Sequence, residues 1–591
     1  MLNPGKDRID YGEKLRPPAG YTLSYALATS YSLELDTLLA VPLALSFNST
    51  LDDAEKIIGE KLVLLEGIHQ LKGRIKVFFQ QGNIKLPDTS NKLYSLLEHC
   101  LVPMVPEGPF SSFHPKIWLL RFVNDAKDVQ YRLIVLSRNL TFDRSWDLAC
   151  TLEGRDSGKI TQENDGLIAL LGDLAPCAKD FSTAFRLFKK ELPNVMWDKP
   201  TGFQSLKTLY GRKGQVPLEY GLGTDTVLVI SPFIHREALA MLKERGTRHW
   251  LFSRGDELER IGEEDLQGWE CFALNDRLIN GEDELEKAKQ QNLHAKLVLL
   301  QNGRTCHWHI GSANATKAAL GDRKQASPRN TEFMLRMSGS AQNGSAEKLR
   351  EELVGTEKKP AGIFIPYVFG SYLPDEQSES EEVSRKLLHA LISVDWNVVA
   401  THDGDELYTV TVSYPDSLPL YSATIDVRPL IIGHSQPLQN VMVWERLHLT
   451  QISAFLILTV STPEGNVEQR VIKASLDIDG GDDREQKIFS SMIDKPGKLL
   501  WYIQMILQPN AEKMEWLAAE KNMQLSGEEE TALSTVFDGP IYESLLRCAS
   551  RQPEKLARIE SVLTHSSALN AQMPKTFNML WAHYRAFLGN I

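Results

Sequence analysis

"FHPKIWLL" at residues 113–120 and "LSRNLT" at 136–141 return later in the chain as "LHAKLVLL" at 293–300 and "GSANAT" at 311–316. Each copy supplies a His-x-Lys pair, His114 with Lys116 and His294 with Lys296. Each also supplies a Ser-x-Asn pair, Ser137 with Asn139 and Ser312 with Asn314. Side chains two apart on a strand point to one face, so each pair can project from a single side. The neighbouring runs "KIWLLRF", "RLIVLS", "KLVLL" and "HWHIGS" are apolar and β-branched, and "NDAKD" and "QNGRT" read as the turns between them. Each copy therefore offers an imidazole, an ammonium, a hydroxyl and an amide to one concave point.

Two of everything suits in-line displacement at phosphorus. A neutral imidazole can attack the phosphorus and form a phosphohistidine while a protonated one opposite donates to the departing oxygen. The second imidazole then deprotonates the water that releases product. Two lysines and two asparagines would hold the non-bridging oxygens and stabilise developing charge, the task a metal performs elsewhere. No metal or cofactor is expected.

These motifs resemble the phospholipase D superfamily, and within it the tyrosyl-DNA phosphodiesterases and related nucleases more than the lipid hydrolases. The superfamily's usual aspartate, five residues after the lysine, is replaced here by Arg121 and Gln301. Tyrosyl-DNA phosphodiesterases also lack it and have a downstream asparagine, as Asn139 and Asn314 are. "GSANATKAALG" followed by "NTEFML" is similar to that group's second motif and its acidic residue, which would be Glu332. The resemblance implies His114 as nucleophile, His294 as general acid/base and Glu332 as the orienter of a catalytic histidine, with Asp147 the equivalent acid in the first copy. The resemblance covers about residues 20–345 and does not extend to a phosphotyrosyl substrate; Ser137 and Ser312, whose hydroxyls face the same point, are expected to contact substrate.

Simpler readings stand beside several residues. Asn139 and Asn314 also suit turn capping after a strand. His307 and His309 bracket Trp308 on one face with no third ligand at recognisable spacing, so they read as ordinary strand residues. The six cysteines are scattered without a C-x-x-C, which points neither to zinc nor to a disulfide framework and fits a reducing cytosol. "GLGTDTVLVI" lacks the lysine of a phosphate loop.

The chain of 591 residues, 42% hydrophobic, can bury several cores. Its N-terminus does not read as a signal peptide, and its apolar stretches fall short of the ~18 residues that span a bilayer. A cytoplasmic protein with no membrane partner is expected. Residues 1–360 are near neutral, and residues 361–591 carry nearly all of the net charge of −12. DNA affinity would then rest on local basic strips, with Arg186, Lys189, Lys190, Arg212, Lys213, Arg323, Lys324 and Arg329 as candidates. The acidic C-terminal part is better suited to a protein partner.

The expected class is α/β. Residues 20–160 form a first phospholipase D-like half, 161–220 a helix and linker, and 221–360 a second half, with mixed sheets, and the resemblance implies that the halves pack about a pseudo-twofold axis. Residues 361–483 form a β-sandwich-like domain and 484–591 a helical C-terminal domain. The expected function is a metal-independent phosphodiesterase or nuclease acting on DNA, by analogy a component of bacterial genome defence beside a helicase. The alternatives are phospholipid hydrolysis and a non-catalytic DNA-binding scaffold of the same fold.

Overall fold

The computed structural model describes residues 11–47, 61–141, 145–219, 223–275, 292–322, 327–355, 362–370 and most of 379–507. In the remainder of the chain it describes chiefly 553–565 and 575–588. Arg323 and Lys324 lie outside the described residues.

The chain is mixed α/β with several sheets. The first sheet uses β1 (Tyr21–Ser30), β2 (Ile75–Gln80), β3 (Leu101–Met104), β4 (Ile117–Asn124), β5 (Val129–Leu136), β7 (Ala149–Asp156) and β8 (Val195–Trp197), with β6 (Ser145–Trp146) standing apart. Its order is β3-β2-β1-β4-β5-β7-β8, parallel among the first three and antiparallel beyond. β2, "IKVFFQ", is buried along its whole length, as a parallel strand covered on both faces must be.

The second sheet uses β9 (Phe203–Gly211), β10 (Thr226–Ile230), β11 (Arg248–Ser253), β12 (Glu270–Leu274), β14 (Leu297–Asn302), β15 (Thr305–Gly311), β16 (Glu332–Ser340) and β17 (Phe364–Pro366), while β13 (Asn292–Leu293) pairs with β6. Its order is β17-β12-β11-β10-β14-β15-β16-β9, again with three parallel strands, β12-β11-β10, followed by antiparallel ones. Two boundaries differ from expectation. Residues 203–211, assigned to a linker, form the edge strand β9, whose buried Leu206, Leu209 and Tyr210 need that sheet. Phe364, placed in the β-rich region, belongs to β17 of the same sheet.

The facing sides of these two sheets meet in one core. Ile117, Leu119 and Leu133 of the first lie in it with Leu297, Leu299 and Phe333 of the second. Residues 397–478 form two four-stranded sheets around a separate core. One contains β18 (Asn397–His402), β19 (Leu407–Ser413), β22 (Val441–His448) and β25 (Ser475–Ile478). The other contains β20 (Thr424–Pro429), β21 (Gln436–Pro437), β23 (Phe455–Ser461) and β24 (Val467–Lys473).

The described C-terminal helices join the first sheet's core. Leu499, Ile503, Leu556, Ile559 and Phe577 pack into the apolar layer that covers the outer face of the first sheet, with Leu39, Leu64, Trp118 and Ile134. A buried ion pair binds them there: the Arg558 guanidinium donates to both oxygens of the fully buried Glu66 and to the Tyr502 hydroxyl. The described helices of residues 484–591 therefore contribute a layer to the first sheet's core.

Candidate active site

Each His-x-Lys pair lies in an extended segment that enters a strand one residue later, β4 after Lys116 and β14 after Lys296. These segments are stitched crosswise. Phe113 bridges Thr331, with the His114 amide donating to the Thr331 carbonyl at 3.0 Å. In the other direction β13, ending at Leu293, pairs with β6, and the His294 amide donates to the Trp146 carbonyl at 3.0 Å. The residue after Thr331 is Glu332 and the residue after Trp146 is Asp147. Each histidine segment is therefore tied to the segment that carries the other half's acid.

The serines repeat the pattern behind the site. Ser137 Oγ accepts from the Leu148 amide at 2.8 Å and Ser312 Oγ from the Phe333 amide at 2.9 Å, each the residue following an acid. Ser312 also donates to Glu332. Both serines are fully buried. Their hydroxyls bond the acid-bearing strands.

Glu332 is itself fully buried and accepts from His114 Nδ1 at 2.8 Å and from Asn330 Nδ2 at 3.0 Å. Burial alone would raise its pKa, but His114, Ser312 and Asn330 together hold it below the usual carboxylate range. Burial pushes the His114 imidazole down to about 4, and Lys116 and Lys296 act in the same sense against the pull of Glu332. At neutral pH the ring is uncharged. With Nδ1–H donated to Glu332, the lone pair sits on Nε2, the nitrogen available to attack.

The two lysines are both buried and feel each other. Burial and then Lys296 push Lys116 well below its ordinary value, and burial brings Lys296 down to about 8. Glu332 and Asp147 oppose both shifts. Lys116 Nζ donates to Asn139 Oδ1 at 2.6 Å; Lys296 Nζ donates to the His294 carbonyl at 2.7 Å and, across the junction, to the Ser137 carbonyl at 3.3 Å. Asn314 Oδ1 is buried and, among the described residues, has no hydrogen-bond partner. Two buried lysine side chains thus share the centre with two carboxylates, Glu332 and Asp147, that act on both.

The structure brings His114, Lys116, Asn139, Lys296 and Glu332 together by direct contact or electrostatic effect, and it bonds the His294 backbone to Trp146, the residue before Asp147. Sequence reasoning missed Tyr31, whose ring meets that of His114 edge-on with centroids 5.2 Å apart and lies 5.6 Å from Lys116 Nζ. Its position just past the carboxyl end of the parallel strand β1 was the available signal. Asn330 was also missed, two residues before Glu332. His307 and His309 have separate partners, Ser338 and the Val298 carbonyl. Arg212 is paired with Asp173 at 2.8 Å. The chain matches no protein-family model, and no curated protein matches it.

Proposed function

We propose that this chain is a phosphodiesterase that cleaves DNA without a metal ion, through a phosphohistidine on His114. His114 Nε2 attacks phosphorus, an N–P bond forms and the P–O bond to the leaving strand breaks. The leaving oxygen takes a proton from His294. His294 then removes a proton from water, the water oxygen attacks phosphorus, and the N–P bond breaks to restore His114. Lys116, Lys296, Asn139 and Asn314 hold the non-bridging oxygens, and Glu332 fixes the His114 tautomer.

The observation that carries this reading is the crosswise pairing of Phe113 with Thr331 and of Leu293 with Trp146, which delivers one His-x-Lys pair from each sheet to a single centre. The matching strand orders, β3-β2-β1-β4-β5-β7 and β12-β11-β10-β14-β15-β16, support reading the sheets as the two halves of a duplicated phospholipase D-like unit. The shared core of the two four-stranded sheets supports a β-sandwich for residues 397–478. The preference for DNA rests on the motif resemblance.

The test is hydrolysis of labelled single-stranded, duplex and 3′-blocked DNA in EDTA. Cleavage of at least one substrate that survives chelation and disappears in His114→Ala is expected. Cleavage that requires added Mg²⁺, or that persists in the variant, would overturn the mechanism.

A further inference from the structure

A groove of about 390 Å³ opens beside the catalytic centre. Tyr31, which touches the His114 ring, and Asn330, which bonds Glu332, stand on its wall. Its charge is unlike that of the chain. The protein has 77 Asp and Glu and a net charge of −12, yet no carboxylate lines the groove among the described residues, whereas Arg329, Arg385 and Arg470 do. Arg470 is paired with Glu468; Arg329 and Arg385 have no carboxylate partner among the described residues. Arg329 stacks over Phe110, its guanidinium carbon 5.9 Å from the ring centroid.

The acidic C-terminal part supplies two of these arginines, and it is fixed in place to do so. Arg385 lies on the helix Glu379–Ser393, and Arg470 on β24. The helix is tied to the first half by His389 Nε2 bonding the Pro106 carbonyl at 3.1 Å, and Ile392 covers Gly82 so closely that a Cβ there would sit 2.7 Å from its methyl. β24 bridges Ile84 through Val471, and Gln81 exchanges side-chain bonds with both backbone groups of Lys473. Below them the buried Glu98 accepts from Ser453, from the Ala454 amide and from Arg484. A groove wall held by so many satisfied buried groups is preformed.

We infer that this groove is the track for a single-stranded polynucleotide, with residues of the acidic C-terminal part gripping the strand that His114 cleaves. The inference rests on the phosphodiesterase reading and adds the strandedness of its substrate. Planar guanidinium groups pair with phosphate oxygens in two-pronged fashion, and Phe110 and Tyr31 offer rings to unstacked bases. A duplex presents its phosphates but keeps its bases turned inward, and a groove the size of a small-molecule pocket does not admit it. The exposed basic side chains of the helix Ser182–Glu191, Arg186, Lys189 and Lys190, lie on a helix whose apolar face packs through Phe185 and Phe188, and take no part in the groove.

Fluorescence anisotropy of a labelled single-stranded 20-mer with full-length protein, across a salt series, tests this, with His114→Ala in every protein compared, the wild type included, so that no strand is cut. The wild type should bind the single strand more tightly than a duplex of the same sequence. Arg385→Ala and Arg329→Ala should each weaken single-strand binding about tenfold and lower the slope of log affinity against log salt by about 0.7 per lost phosphate contact. The triple variant Arg186→Ala/Lys189→Ala/Lys190→Ala should bind as the wild type does. Unchanged affinity in Arg385→Ala and Arg329→Ala, tighter binding of duplex, or loss confined to the triple variant would overturn the track. Because binding is read without turnover, a protein that binds through these arginines but cleaves nothing contradicts only the catalytic reading. One that cleaves DNA but binds normally without them contradicts only the groove.

Discussion

Lys296 shows why the site costs stability. Its folded-state pKa is pushed down to about 8 by burial, so as pH falls from 10.5 to 8 the unfolded chain takes up the proton first and stability is lost. At pH 7 that burden is on the order of 3 kcal/mol, partly offset by the bonds to the His294 and Ser137 carbonyls. Lys296→Met should therefore melt no lower than the wild type while its phosphodiesterase rate falls at least ~100-fold. The wild-type rate should in turn decline as pH rises through about 8, where the ammonium is lost. Melting and activity that fall together in the variant would make Lys296 structural. The residues proposed for the chemistry stand out in the sequence because each type recurs at nearly the same spacing in two copies. The burial of Ser137 and Ser312 was not legible because spacing gives the face of a strand and not its depth. Tyr31 was missed because one aromatic at a strand end has no distinguishing pattern.

Among the elements, the close approach of β15 to β16 decides whether Glu332 reaches His114. Gly311 has φ +150°, and a Cβ built there would lie 2.2 Å from the Phe333 carbonyl oxygen. Ser312, which bonds Glu332, is the next residue, so the glycine sets the distance between the serine and the acid. Gly311→Ala should force the strands apart, cost about 1–3 kcal/mol in thermal or denaturant unfolding, and reduce turnover more than a surface substitution of equal destabilisation. Wild-type melting and turnover would show that the contact relaxes freely. Strand identity was readable from apolar runs, but pairing partners were not. "AFLILTV" carries no alternation because β23 is buried on both faces, with Phe455 and Ile457 in the first sheet's outer core and Leu456 and Leu458 in the core of the β-rich region. β9 was read as linker because its register with β16 is a long-range fact.

At the scale of the whole molecule, the C-terminal third is bound into the catalytic part. Among the described residues, the helices Pro496–Leu507, Pro553–His565 and Lys575–Leu588 cover part of the first sheet's outer face, and without them the buried Glu66 would lose the guanidinium of Arg558. Breaking such a pair from one side leaves an uncompensated buried charge, worth about 3–5 kcal/mol, in addition to the exposed apolar surface. A chain ending at residue 360 should therefore lack a cooperative melting transition and near-ultraviolet circular dichroism while binding a hydrophobic dye. A truncated protein that melts cooperatively would show that the first sheet closes its own core. The helical periodicity of residues 484–588 was plain in the sequence, yet periodicity identifies an apolar face without naming what covers it.

The central claim is that phosphorus passes through His114, and a trapped intermediate tests it most directly. His294→Ala protein, mixed with the p-nitrophenyl ester of thymidine monophosphate, faces a leaving group that departs without a proton and then lacks the base that activates water. Quenching in alkali, digestion and mass spectrometry should find the nucleotide attached to the peptide bearing His114. Attachment to any other residue, or release of nitrophenolate with no covalent adduct, would contradict the account.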